Sequence, residues 1–340
     1  MNIAVLAGGY SHERDVSLTS ATLIANALID EGHKICLCDV YLGIDLDGKD
    51  EIFTDTKTEI HKIEHSVPDL DALKAQSGNG DALIGKNVLE LCRMADVVFL
   101  ALHGSMGENG QLQATLDNFG IKYTGSGYVG SLLAMDKDIS KKLFKFGGVN
   151  TPDWLRCYRG ADINTIIEEI GFPCVVKPTS SGSSVGISLV DDADGLTSAL
   201  KIAQKYEDSI IIEKQIKGRE FTVGVLDGEV LPIIEIIPTE GFYDYENKYQ
   251  AGKTKEICPA DISDNLKTKL SEQALLAFDV LRLSGYARFD FLSDAEENTY
   301  CLEANTLPGM TPTSLLPQMA AAIGISYGKL CEKIIQTALK

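Results

Sequence analysis

At 340 residues with 44% apolar side chains, the chain can bury a sizeable core and divide into two or three domains. Its formal net charge of −18 argues against nucleic acid or an anionic membrane as the main partner, although a few local lysines can still draw a small phosphate ligand into a cleft. No apolar stretch approaches the ~18 residues of a membrane span, and the opening Met1-Asn2-Ile3-Ala4-Val5-Leu6-Ala7-Gly8-Gly9 lacks the basic flank and length of a signal peptide, so a cytoplasmic protein is expected.

Residues 3–7 form an apolar run ending at Gly8-Gly9, which predicts a buried strand feeding a tight turn. A helix follows with Leu18, Ala21, Ala25, Leu28 and Ile29 on one face and Gly32 as its stop. The next strand is expected near 34–41, and residues 43–80, polar and acidic without clear period, predict an irregular excursion. A helix near 83–94 leads to a strand over 96–102, and this βαβαβ alternation implies a parallel sheet with helices on its faces. From about 125 the pattern becomes α+β: a helix over 131–146, strand–Gly-rich loop–strand over 174–190 and a helix over 194–206. Strands near 209–214, 219–226 and 229–237, a helix over 264–283 and strands 286–292 and 299–304 come next. The last helix carries Tyr327, Leu330, Cys331, Ile334, Ile335, Ala338 and Leu339 as a core-facing stripe. The eight cysteines include no C-x-x-C pair and mostly lie in apolar runs, so they read as reduced, buried thiols.

The last hairpin carries the strongest chemical signal. Strand alternation puts Arg288 and Asp290 on one face, opposite Phe289 and Phe291, and Glu303 and Asn305 on one face, opposite Leu302 and Ala304. If the strands pair, two carboxylates, an amide oxygen and a guanidinium converge, and hard oxygen donors without His or Cys suit Mg²⁺. A solvated sheet face with a salt bridge would have the same spacing. The segment Lys177-Pro178-Thr179-Ser180-Ser181-Gly182-Ser183-Ser184-Val185-Gly186 offers clustered N–H and hydroxyl donors for phosphate, or is simply a hairpin turn. It is not a Walker A loop, because no Gly-Lys-Ser/Thr follows and a strand comes next.

Gly8-Gly9-Tyr10-Ser11-His12-Glu13 stands where strand 1 meets helix 1, a place where open α/β sheets bind ligands. Glu13 could hold an ammonium group there or merely favour the helix N-terminus. The dinucleotide fingerprint G-x-G-x-x-G is absent, which weighs against a nicotinamide enzyme. His103, in the turn Leu102-His103-Gly104-Ser105-Met106-Gly107-Glu108, could orient a neighbour or satisfy a local hydrogen bond. The aromatic, charged stretch 242–249 suggests a loop closing over a ligand, with a surface Ω-loop as the plainer reading.

Taken in order, these segments resemble the D-alanine–D-alanine ligases over nearly the whole chain. The pattern begins Gly8-Gly9-x-Ser11-x-Glu13-Arg14-x-Val16-Ser17, then His103-Gly104 with Gly107-Glu108-x-Gly110, Tyr123-Thr124-Gly125-Ser126 and Met135-Asp136-Lys137. It continues as Lys177-Pro178 with Gly182-Ser183-Ser184-Val185-Gly186, Gly218-Arg219-Glu220-Phe221-Thr222 and Tyr243-Asp244-Tyr245-Glu246-x-Lys248-Tyr249. Arg288-x-Asp290 and Glu303-Ala304-Asn305-Thr306-x-Pro308-Gly309-Met310-Thr311 complete it.

The resemblance implies an ATP-grasp fold, α/β and α+β, with an open parallel α/β domain over 1–124 for the first D-alanine. A central domain over 125–213 would carry the phosphate loop, and a C-terminal domain over 214–340 the Mg²⁺ site and a lid over 240–255. By the same resemblance Lys137, Lys177 and Lys248 bind ATP phosphates, Glu213 and Glu220 meet adenine and ribose, and the backbone near Lys214 and Ile216 lies against the base. Asp290, Glu303 and Asn305 would ligate two Mg²⁺ ions, for which Mn²⁺ could substitute. Glu13 would hold the first ammonium, with Ser183 and Tyr249 linking it to the lid. Arg288 and the Gly309 N–H would stabilise an oxyanion, His103 would help form the substrate site, and Ser314 with the Leu315 N–H would receive the second carboxylate. The implied reaction joins two D-alanines through an acyl phosphate for peptidoglycan synthesis, and the implied assembly is a homodimer. Asn109 replaces a usual Asp, and residues 179–181 replace charged residues common in the family. Tyr249 favours an amine as second substrate over D-lactate and leaves D-serine open. A non-catalytic nucleotide-binding regulator would be attractive only if the Arg288, Asp290, Glu303 and Asn305 set were broken.

Overall fold

The computed structural model describes residues 1–48, 51–61, 68–182, 185–238 and 254–340. Among these, β1 (Asn2–Ala7), β2 (Lys34–Asp39) and β3 (Val97–Leu100) form a parallel sheet in the order β2-β1-β3. Residues 3–7 of the central strand are all buried, as a parallel strand covered on both faces requires. Helix Arg14–Asp30 buries Ala21, Ile24, Ala25 and Leu28 in the same core and ends at Glu31, with Gly32 at φ +87°. The expected excursion is only partly irregular. Thr54 forms an antiparallel bridge to Ile35, and helix Leu70–Ser77 is capped by Asp69, whose carboxylate accepts from the Ala72 amide at 3.0 Å. The helix expected over 83–94 is shorter, Val88–Met94.

β4 (Trp154–Tyr158), β5 (Cys174–Pro178), β6 (Ser188–Val190) and β7 (Ser209–Lys214) make an antiparallel sheet ordered β4-β7-β5-β6. Helices Ile163–Glu169 and Ala193–Ala203 pack Ile166, Leu196 and Leu200 on Val176, Ile210 and Ile212. The third sheet consists of β8 (Arg219–Leu226), β9 (Glu229–Val230), β10 (Ile234–Pro238), β11 (Thr254–Ile257), β12 (Tyr286–Ser293) and β13 (Thr299–Asn305). Its order is β11-β10-β8-β12-β13, with β9 beside β8. The single strand expected over 229–237 is divided around Pro232, which has no N–H to give a ladder.

The helix expected over 131–146 is two helices, Tyr128–Met135 and Lys137–Gly147. Asp136 between them is extended, and its carboxylate accepts the Asp138 and Ile139 amides at 3.0 Å each, capping the second helix. Both helices contribute to the third sheet's core, through Ala134 and Phe144, together with Leu266, Leu270, Ala274 and Ala277 of helix Asp264–Val280. The chain's end returns to its beginning: Leu330, Cys331, Ile334 and Ile335 of helix Tyr327–Leu339 join the core built on β1. None of the eight cysteines is in a disulfide, and seven are buried. Burial pushes the Cys92 thiol up to about 12. Among the described residues no helix is long and apolar enough to cross a membrane.

Candidate active site

β12 and β13 pair antiparallel with Arg288 opposite Asn305 and Asp290 opposite Glu303, so the four polar side chains share one face as strand alternation predicts. Asp290 is the hub. Its Oδ1 accepts from Thr222 Oγ1 at 2.7 Å and Arg288 Nε at 3.0 Å; its Oδ2 accepts from Arg288 Nη2 at 2.9 Å and Asn305 Nδ2 at 3.2 Å. Thr222 lies directly opposite Asp290 on β8, which fixes the carboxylate from the other side. Glu303 Oε2 is 3.4 Å from Lys137 Nζ, and that ammonium also donates to the Ser181 carbonyl at 2.8 Å. The second helix of the broken pair therefore starts at a lysine that joins the Gly/Ser-rich loop to the carboxylate strand. Among the described residues no group of three or more His, Cys, Asp and Glu could hold a metal. What the hairpin offers is two carboxylates and one amide, the hard-oxygen set that suits Mg²⁺ better than zinc or copper.

Two cavities meet at this hairpin, and Glu303 lines both. The first, about 460 Å³, lies between the second and third sheets. Val175, Ile187, Leu189, Ile216, Ile236 and Leu302 give it apolar walls, while Lys177, Glu213, Lys214, Glu220 and Asp290 supply polar groups. A slot with apolar walls and several charged groups suits a base carrying a phosphate tail. Glu213 is almost fully buried, and its Oε1 lies 2.8 Å from Lys177 Nζ and 3.2 Å from Lys141 Nζ. Burial alone would raise its carboxyl, but the two ammonium groups prevail and hold it below the usual range. Lys141 was missed by sequence reading. Its only signal there is the i,i+4 spacing from Lys137, which puts both on one face of helix Lys137–Gly147.

The second cavity, about 360 Å³, is lined by Glu13, His103, Glu108, Arg288, Asn305, Gly309, Ser314 and Leu315, residues drawn from both ends of the chain. Glu13 stands at the N-cap of helix Arg14–Asp30 but makes no side-chain cap bond. Its Oε2 lies instead beside the Gly104 turn and the Gly182 loop, 2.9 Å and 3.7 Å from where Cβ atoms there would sit. His103 Nδ1 is 3.2 Å from the Leu307 carbonyl, which can only accept, so Nδ1 carries the proton; Nε2, 3.4 Å from Ser20 Oγ, is left to accept. Burial lowers this imidazole and keeps it neutral.

Glu108, in the Gly107-Glu108-x-Gly110 segment, lines this cavity. Its Oε2 accepts from the Gly104 amide at 2.8 Å, and burial, aided by the nearby Glu13 charge, pushes it up to about 8. Ser314 precedes helix Leu315–Ala322, another element missed by sequence reading, and turns that helix N-terminus toward the cavity. Asn109 accepts the Gln111 amide through its Oδ1 at 3.0 Å. Ser183, Lys248, Tyr249 and the lid up to residue 253 lie outside the described residues; residues 254 and 255 belong to β11.

Residues 2–126 match the family described as D-ala D-ala ligase N-terminus, and residues 142–336 that described as D-ala D-ala ligase C-terminus. The chain belongs to the D-alanine–D-alanine ligase family. A D-alanine–D-alanine ligase of Pediococcus pentosaceus is 44% identical over 98% of this chain and 97% of its own length. The crystal structure of a D-alanine–D-alanine ligase from Bacillus anthracis superposes with a TM-score of 0.79 at 35% identity, covering 100% of this chain and 97% of that one. A second structure of that enzyme, complexed with ATP, superposes at 0.77 with 33% identity and the same coverage. The fold is thus the ATP-grasp fold of this ligase family, preceded by its parallel α/β unit.

Proposed function

We propose that the protein is a D-alanine–D-alanine ligase that uses ATP to make D-alanyl-D-alanine for peptidoglycan precursors. The observation that carries this reading is the shared wall: Arg288, Asp290, Glu303 and Asn305 stand where the first, largely apolar-walled cavity meets a second cavity lined by Glu13 and a helix N-terminus. The ATP-bound relative from Bacillus anthracis supports ATP as the occupant of the first cavity. In it Lys177, Glu213, Lys214, Ile216 and Glu220 would surround the nucleotide, with Lys137 and Lys248 toward the phosphates.

A carboxylate is a poor acyl donor, so the first D-alanine is activated by taking the γ-phosphoryl group of ATP. Glu13 would hold its ammonium, with Ser183 and Tyr249 linking it to the lid. Lys137 and Lys177 would neutralise charge as the phosphoryl group moves. Asp290, Glu303 and Asn305 would hold Mg²⁺, or Mn²⁺ in its place, and the bound metal would supply further charge neutralisation. The amine of the second D-alanine then attacks the acyl carbon; its carboxylate would rest on Ser314 and the Leu315 N–H, where the helix terminus favours an anion. Arg288 and the Gly309 N–H would take the negative charge of the tetrahedral oxyanion, and the phosphate then leaves. His103, neutral and tied to Leu307, would hold the turn carrying Gly104 against this cavity. The lid, shortened to residues 240–253 because 254 and 255 are paired in β11, would close over the site, because an acyl phosphate open to water hydrolyses.

The division into units near residues 124 and 213, a cytoplasmic homodimer and an amine second substrate complete the proposal. A regulator that binds nucleotide without catalysis would not need the intact Arg288, Asp290, Glu303 and Asn305 set. Competition supplies the test: D-alanine offered with equal D-serine and D-lactate should yield mainly D-alanyl-D-alanine. Accumulation of the mixed depsipeptide or of D-alanyl-D-serine instead would refute the assignment of the second substrate.

A further inference from the structure

Lys141 lines neither cavity, yet its side chain is fully buried. A buried ammonium is costly unless each N–H finds an acceptor. Here three acceptors lie within reach: Thr151 Oγ1 at 2.6 Å, Glu213 Oε1 at 3.2 Å and the Pro152 carbonyl at 3.4 Å. The Trp154 ring centroid is 5.6 Å from the same nitrogen. Glu213 Oε1 is shared, since Lys177 Nζ approaches it to 2.8 Å from the cavity side. One carboxylate therefore faces two ammonium groups, of which only Lys177 lines the cavity.

We propose that Lys141 is a positioning residue that keeps Glu213 compensated while Lys177 swings to the ATP phosphates. Without it, Lys177 would be the sole counter-charge of a buried carboxylate, and phosphate would have to pull it from a bare anion. With it, Glu213 retains a partner in both positions of Lys177. This inference rests on ATP being the ligand of the first cavity. The groups that bear on the Lys141 charge come from three strands. Glu213 on β7 favours the charge and Lys177 on β5 opposes it. Cys301 on β13 is kept a neutral thiol by its own burial. Desolvation outweighs Glu213 and brings Lys141 down to about 8.

The experiment is a double-mutant cycle on the full chain, reading the ATP dissociation constant by calorimetry with Mg²⁺ present and checking each variant by thermal unfolding. Lys141→Met should weaken ATP binding about tenfold beside native Glu213 and distinctly less in a Glu213→Gln background, as expected for members of one network. Lys141→Arg, which keeps the charge, should restore most of the affinity. Equal weakening in both backgrounds, or none in the first, overturns the proposal, because a lysine that acts independently of Glu213 gives additive losses. Should Lys141→Met fail to fold, the wild-type protein still decides: its ATP affinity should fall as pH rises through about 8, and a flat profile overturns the idea. Failure of the wild-type protein to bind ATP at all would instead overturn the proposed function.

Discussion

Arg288 forks onto Asp290 through two nitrogens, at 3.0 and 2.9 Å, while lining the second cavity. Its replacement by Ala should remove an oxyanion donor and free Asp290 from its cation, slowing turnover by on the order of 10²-fold or more; a wild-type turnover number would take Arg288 out of the mechanism. The Arg-x-Asp and Glu-x-Asn pairs were legible in the sequence because a strand's period of two admits no other face once the hairpin pairs. Lys141 and Glu108 were not legible in this way. Their character comes from burial, which depends on how distant elements pack around them, and an isolated lysine or glutamate in a sequence reads as solvated. His103 gives a pH test at this scale. Burial holds its imidazole below the ordinary value, so as pH falls through about 6.5 the unfolded chain binds the proton first and the folded state loses stability. His103→Gln should flatten that acid limb in denaturant titrations, and an unchanged limb would assign it to other groups.

At the scale of elements, the break at Asp136 has the clearest consequence. It caps helix Lys137–Gly147 and places Lys137 at the first helical position, within reach of Glu303 and the Ser181 carbonyl. Asp136→Ala should cost about 1 kcal/mol of stability, as for loss of an N-cap, and should also raise KM for ATP; denaturant midpoints and steady-state kinetics would register the two effects separately. Gly218 gives a sharper case, since a Cβ there would overlap the Ser293 carbonyl on the neighbouring strand. Gly218→Ala is therefore expected to push β8 from β12 and to lower the midpoint well beyond the cap variant. Apolar period read as a continuous helix over 131–146 because period does not register a single extended residue. The helix Leu315–Ala322 escaped notice for the opposite reason: its alanines and Pro317 give little period, although Pro in a first turn is compatible with a helix. β4 is five residues long and mostly half-exposed, too short for alternation to declare itself.

At the scale of the described molecule, helix Tyr327–Leu339 packs back onto the core of the first sheet. Leu330, Cys331, Ile334 and Ile335 complete the core around β1, so the residues that line the second cavity come from chain segments held together by that packing. Removing residues 327–340 should expose this core and cost several kcal/mol, given about 1.5–3 kcal/mol for each large apolar side chain uncovered; an unaltered melting profile would show that the N-terminal unit stands without the helix. The overall order of elements was readable because the motifs occur in sequence along the chain, whereas this return of the last helix to the first sheet is a tertiary choice that no local period encodes.

The central claim is that oxygen ligands on one hairpin unite a nucleotide site with an amino-acid site. The direct measurement is phosphate release from ATP by the purified full chain, with D-alanine and Mg²⁺ each added or withheld. Release is expected only when both are present, in equal amount to D-alanyl-D-alanine formed, and lost in an Asp290→Asn, Glu303→Gln double variant. Release that proceeds without D-alanine, or that survives in the double variant at the native rate, would contradict the account.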